Sequence, residues 1–305
     1  MDYSMMRRLM VAGKSAFARR RTALAAAAVL LPFLPAAQGR APEKPTATYW
    51  VYVGAESADK MHRLRFGPTG FVVERTWEIG EMPAEMEGPH GVQITADGKH
   101  MLVTTGHGFP DGKMWMYHLG PDTLVAPGVL LGNFPASLDV TPDGRYALNS
   151  NFNLHGDMVP SSISMVYTPT MTEVGRIVTC TMPHGSRITP DGRFHYSGCM
   201  MDDQLVEIDI AKKAVSRRFS VAKDREGPLP IDGPPSAMLK MWIEGAKKVS
   251  KGATSDPAQV GYIAMGEMRH AMAPQSCSPT WAQPSADGAS IFVACNKSDE
   301  IVEVD

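Results

Sequence analysis

An all-β chain, folded as a β-propeller of four-stranded antiparallel blades, is what the sequence predicts, on three observations. First, Pro183 to Asp209 (PHGSRITPDGRFHYSGCMMDDQLVEID) reads as three short strands, HGSRIT, RFHYSGCM and LVEID, joined by the turns Thr189-Pro190-Asp191-Gly192 and Met201-Asp202-Asp203-Gln204. The first turn has a mechanism: Pro pre-sets φ, Asp caps its own backbone and Gly takes the φ > 0 position. Second, the unit recurs from Pro89 to Gly106, from Phe134 to Asn151 and from Cys277 to Asp305, with Asp-Gly turns at Asp97, Asp143, Asp191 and Asp287 spaced 46, 48 and 96 residues apart. A period of this size with several strands per unit is a propeller signature. Third, the units have no helical pattern between their strands, as a doubly wound or barrel fold would need.

Taken in order, residues 1–41 read as a signal peptide and cleavage region. Arg7, Arg8, Lys14 and Arg19-Arg20-Arg21 precede the apolar run Thr22 to Leu34, which ends at Pro35-Ala36-Ala37 and is short for a membrane span. Arg19-Arg20-Arg21 hints at twin-arginine export, but the residues that follow do not match that motif. Residues 42–47 are a tether, and 48–305 the propeller. The expected location is periplasmic or extracellular, with no stable membrane span after cleavage. With 305 residues, 44% of them apolar, and a formal net charge of -2, the chain can bury a large core and shows no bias toward nucleic acid.

Thr48 to Gly80 supplies three strands, TYWVYVG, KMHRLRF and FVVERTWEI. At the other end Ile291 to Asp305 supplies the second and third strands of a last blade. A closed propeller completes a split blade with strands from both termini. The C-terminal half of that closure is missing, and the mature length holds about five repeats. The expectation is therefore a fragment, a truncated product or an unusual closure, in a chain prone to aggregate. Residues 221–276 break the pattern. Glu226 to Pro235 is rich in Pro and Gly, and Ser236 to Lys251 places Met238, Met241, Trp242 and Ala246 at helical spacing. This predicts a mostly helical insertion projecting from one face.

The repeats resemble the YVTN family of β-propeller repeat proteins. Gly132, Pro135, Pro142-Asp143-Gly144 and Tyr146-Ala147-Leu148 carry the likeness in one unit; Pro183, Pro190-Asp191-Gly192, Tyr196 and Val206-Glu207-Ile208-Asp209 carry it in the next. The opening stretch YWVYVGAESADKMHRLRF is also similar to the start of lactonase-type seven-bladed propellers. The resemblance implies a fold and leaves the activity open, since such propellers serve many roles.

Four cysteines in an exported chain point first to disulfides. Cys180 and Cys199 bracket one hairpin and Cys277 and Cys295 another, which predicts two bridges within blades. Reflection about the turn sets Cys199 opposite His184, with Met200 and Met201 next, and imidazole, thiolate and thioether together suit copper. His90 holds the place of His184 in its own unit, with His107 close by. Both should lie near one mouth of the channel, whereas Ala136 and Thr280 occupy that place in the other two units. The alternative for each Pro-His-Gly is a corner whose His bonds backbone between blades. His155, in a long loop beside Asp157 and Met158, is a face contact or a further ligand. Asp202-Asp203 is expected to serve its turn, and Met114 and Met116 the core.

The chain has no Cys-x-x-Cys-His, no Gly-x-Ser-x-Gly, no His-Glu-x-x-His and no phosphate-binding glycine loop. The leading expectation is an exported binding or scaffold module for an unidentified protein or small molecule, with His90, His184 and His155 at its ligand site. The alternative is a copper-binding or redox protein using His90, His107, His184, Cys199 and Met200. A lactonase-like hydrolase rests on the opening stretch alone.

Overall fold

The computed structural model describes residues 44–82, 84–107, 111–156, 159–231 and 276–305. They form five separate antiparallel sheets in chain order. The first holds β1 (Tyr49–Ala55), β2 (Lys60–Gly67) and β3 (Gly70–Glu78). The second holds β4 (Pro89–Ile94), β5 (His100–Thr105), β6 (Lys113–His118) and two short strands on β6, β7 (Thr123–Leu124) and β8 (Val129–Leu130). The third runs through β9 (Pro135–Val140), β10 (Tyr146–Asn151), β11 (Pro160–Tyr167) and β12 (Thr172–Thr181). The fourth is built of β13 (Pro183–Ile188), β14 (Phe194–Cys199), β15 (Gln204–Asp209), β16 (Ala214–Ser220) and β17 (Gly227–Leu229). The fifth has β18 (Pro279–Pro284), β19 (Ile291–Cys295) and β20 (Glu300–Val304).

The all-β expectation is met, but the more specific one, four-stranded blades in a propeller with a helical insertion, is corrected. The sheets have three, five, four, five and three strands, and none closes on itself. In the second sheet the outer strand is split around Pro127, which has no N–H for a ladder. In the fourth, Gly227–Leu229 pairs with β16 as a fifth strand inside the stretch expected to be an insertion. Two 3-10 turns, Glu56–Ala58 and Thr168–Thr170, are the only helical segments among the described residues. The helix expected over 236–251 and the signal segment 1–41 lie outside the described residues.

Apolar side chains of consecutive sheets meet face to face, removing from water one face of each sheet at every junction. Met61 and Ile79 pack with Met101, Val103 and Trp115; Leu102 and Met114 with Leu138 and Val140; Leu148 and Met165 with Ile188 and Ile208; Leu205 with Ala282 and Val293. Met114 and Met116 are buried as expected. The first strands of successive sheets, β1, β4, β9, β13 and β18, touch in turn.

All four repeat turns are built alike. The hydroxyls of Thr95, Thr141, Thr189 and Ser285 donate to Asp97, Asp143, Asp191 and Asp287 at 2.5–2.7 Å. Each Asp also accepts the N–H two residues on, and the following Gly sits at φ between 65° and 74°. These bonds, the hydroxyl's above all, hold the four carboxyls below the usual carboxylate range. They are local in sequence, so the turn end of the molecule was readable before its tertiary structure.

Both expected disulfides are present, Cys180–Cys199 and Cys277–Cys295. The first does not lie within one sheet: Cys180 is the second-last residue of β12 in the third sheet and Cys199 ends β14 of the fourth, so the bridge ties two sheets together. No helix among the described residues is long and apolar enough to cross a membrane.

Candidate functional site

Each repeat begins with a residue of left-handed φ followed by Pro: Gly88-Pro89, Phe134-Pro135, Met182-Pro183 and Ser278-Pro279. The corner turns the chain into its first strand at the end of the sheet opposite the Asp-Gly turn. In the second and fourth sheets the next residues are His and Gly. His90 donates from Nδ1 to the carbonyl of Ala136 at 2.6 Å, and His184 from Nδ1 to that of Thr280 at 2.8 Å. Each acceptor belongs to the first strand of the following sheet, so the Pro-His-Gly corner does bond backbone between sheets. Gly185 lets that strand approach: a Cβ there would lie 2.6 Å from Trp281 Cα, at φ 65°.

The two bonds settle both tautomers. A ring nitrogen facing a carbonyl must carry the proton, so in neutral His90 and His184 Nε2 is a lone pair. His184 is held below the usual imidazole range, first by burial and then by the nearby His90, against the favourable bond to Thr280.

Two more histidines reach the same end of the sheets. His107 follows β5, its backbone N–H donating to Glu87 O at 2.7 Å. His155 lies in the loop after β10, its N–H held by Asn133 Oδ1 at 3.1 Å. Glu56, in the 3-10 turn after β1, joins them. His107 Nε2 donates to Glu56 Oε1 at 2.8 Å, and His90 Nε2 is 4.0 Å from that same oxygen. His107 Nδ1 and His155 Nε2 are 3.2 Å apart. Asp59, just past the turn, fixes this geometry by accepting the N–H groups of Glu87 and Gly88.

Beneath the imidazoles is an apolar floor of Phe134, Ala136, Phe152 and Met182, with Met200 and Met201 against it. The Phe134 ring lies 5.1, 4.8 and 5.6 Å from the rings of His90, His107 and His155. Its backbone stands at φ 48°, a costly conformation for a residue with a Cβ. His184 is bordered by Phe152, by Trp281 and, at 6.2 Å between ring centres, by His90.

His90, His107, His155 and His184 are thus brought into one cluster. Cys199 and Met200 do not join it as metal ligands would. Cys199 is bonded to Cys180 and offers no thiolate, and Met200 packs on the apolar floor. Cys199 is also not opposite His184: a bulge between His184 and Arg187 shifts the register, so that Cys199 faces Pro183 and His184 faces Gly198. Likewise Thr105 faces Pro89. Asp202 and Asp203 serve backbone, Asp202 accepting from Thr181 N and Asp203 from the N–H groups of Ser276 and Ser278. Glu56, Phe134 and Trp281 were not singled out by the sequence; a lone Glu after the first strand carries no signal of its own.

Among the described residues no three His, Cys, Asp or Glu side chains stand together as a ready-made metal site. A cleft of about 600 Å³ opens elsewhere, at the turn end between the third and fourth sheets, along Asp143, Asp191, Arg193 and Lys213. The Asp143 and Asp191 carboxylates there are already engaged by their own turns. The histidine face instead presents acceptors with no such local duty.

No protein-family model matches the chain. No curated protein matches it either, so the YVTN likeness has no family match behind it. A solved structure described as a functionally unknown protein from Desulfotomaculum acetoxidans DSM 771 is similar, with a TM-score of 0.53 and 10% identity over 85% of this chain and 68% of that one. At that identity the likeness concerns the fold alone. Hydrazine synthase of Kuenenia stuttgartiensis is similar at a TM-score of 0.43 and 13% identity, over 81% of this chain and 92% of that one.

Proposed function

We propose that this chain is an extracytoplasmic binding module whose ligand is held over the imidazoles of His90, His184 and His155, with His107 and Glu56 completing the site. One observation carries the reading. Four histidines and a carboxylate from five separate segments meet at one end of the sheets, Glu56 Oε1 alone lying 2.8 Å from His107 and 4.0 Å from His90. Location outside the cytoplasm is supported by the two disulfides and the leader-like N-terminus. The aromatic floor gives a ligand apolar surface beside few polar groups, the usual make-up of a binding site.

The test is thermal-shift measurement against a fixed library of amino acids, organic acids, sugars, nucleosides and divalent metal salts. At least one component is expected to raise Tm in the native protein and not in a His90→Asn/His184→Asn variant. If no component does so, or if every shift survives the double substitution, the proposal falls.

A further inference from the structure

Resting on the binding reading above, we infer that the ligand is a divalent first-row transition-metal ion, taken between His90 Nε2, His184 Nε2 and the Glu56 carboxylate. The argument begins with a mismatch. His90 spends its ring proton on Ala136 O, so its Nε2 lone pair faces the Glu56 carboxylate 4.0 Å away, acceptor against acceptor. A cation is what such a gap suits: bonds of about 2.0–2.2 Å from nitrogen and oxygen span it.

The surroundings match those that metal ligands require. Metal-bound imidazoles donate their other N–H to a carbonyl or carboxylate, which fixes ring and tautomer. His90 and His184 both do so, to Ala136 O and Thr280 O. Glu56 is in turn oriented by His107 Nε2–H at 2.8 Å, and His107 by His155 at 3.2 Å. Each of the three ligands therefore has an outer partner before any ion arrives.

Two imidazoles and one carboxylate, with no thiolate, suit zinc, copper or ferrous iron and leave positions open for water or a second ligand. The set is not preassembled. The His90 and His184 ring centres are 6.2 Å apart, about 1 Å wider than a tetrahedral pair with 2.0 Å bonds. Binding therefore draws the two imidazoles about 1 Å together by tilting them on their Nδ1–H bonds, and the half-exposed Glu56 side chain follows the ion.

The experiment titrates metal-free protein calorimetrically with Zn²⁺ alone, and separately with Cu²⁺ read by electron paramagnetic resonance. One ion per chain is expected, with nitrogen couplings from two imidazoles in the copper spectrum. His90→Asn and His184→Asn keep an amide N–H for Ala136 O and Thr280 O but delete Nε2; each is expected to weaken binding at least tenfold, as is Glu56→Gln. His107→Ala, a change to a positioning residue, is expected to cost 10- to 100-fold. His100→Ala, in the His100–His118 pair elsewhere on the second sheet, is expected to leave binding unchanged.

Binding below one ion per chain, a copper spectrum without two imidazole nitrogens, or affinity unchanged in His90→Asn and His184→Asn overturns the metal assignment. If the metals fail while an organic library component still gives a His184-dependent thermal shift, the assignment is wrong and the binding reading stands. If nothing binds in either experiment, both are wrong.

Discussion

The second and fourth sheets start from the same three residues, Pro89-His90-Gly91 and Pro183-His184-Gly185, and make the same bond to the following sheet, yet they surround it differently. Position by position along the hairpin, Val92 and Met101 of the second sheet become Ser186 and His195 in the fourth, and Thr105 becomes Cys199. In the second sheet the corner rests on an apolar core and its His looks out at Glu56. The fourth buries a polar pair: His195 Nε2 donates to Ser186 Oγ, whose proton goes to Leu148 O. The sheet is also stapled to the third by the Cys180–Cys199 bridge. One motif thus sets the same local bond in both sheets, and the neighbours differ: His90 Nε2 faces the Glu56 carboxylate, whereas His184 lies between the rings of Phe152 and Trp281.

Glycine replacement breaks the comparison most sharply. Gly185→Ala would place a Cβ against Trp281 backbone at a positive φ, whereas at Gly91 the nearest atoms are the side chains of Thr104 and Leu138. Denaturant unfolding is expected to register a loss of roughly 5 kcal/mol for Gly185→Ala and roughly 2 kcal/mol for Gly91→Ala. Equal losses would mean that the two corners are equally tight.

Acid should separate the sheets next. Burial, with a smaller push from Arg187, drives the His195 imidazole down to about 3. The unfolded chain then binds a proton that the folded one refuses, so the stability this neutral histidine permits is intact above about pH 6.5 and is lost as pH falls toward 3. The loss reaches roughly 4 kcal/mol by pH 3. His195→Met, which copies Met101, is expected to flatten that part of the stability curve; an unchanged slope would place the acid sensitivity elsewhere.

A smaller effect belongs to the bridge. Replacing Cys180 and Cys199 together by Ala is expected to lower unfolding free energy by about 3 kcal/mol, from a span of 19 residues. The loss should be seen as faster hydrogen exchange where β12 meets β14. Exchange that rises equally in the second sheet would contradict a staple confined to the third and fourth.

The smallest expected difference is at the shared bond. His90→Ala and His184→Ala each leave a carbonyl without its donor and should each cost about 1 kcal/mol, with Asn at either position restoring most of it. Rescue at one corner only would show that the bonds are not equivalent.

What could be read before the fold was known is what neighbours in sequence decide. Thr or Ser, Asp and Gly within four positions make each repeat turn, and strand alternation makes the sheets, so the all-β repeats, their hairpins and the two cysteine pairs were legible. The strand count was not, because Pro127 splits one outer strand and Gly227–Leu229 adds another. Simple reflection about a turn failed at His184, where a bulge inserts an offset that composition does not announce. The four histidines were visible as residue types, and the corner bond was among the readings weighed for two of them. Their company was not visible: Glu56 lies 34 residues before His90, and His155 lies 48 after His107. Only packing of successive sheets, driven by burial of their apolar faces, brings those segments to one end, where two of the four imidazoles, His90 and His107, come up to the Glu56 carboxylate and the other two, His155 and His184, pack against them.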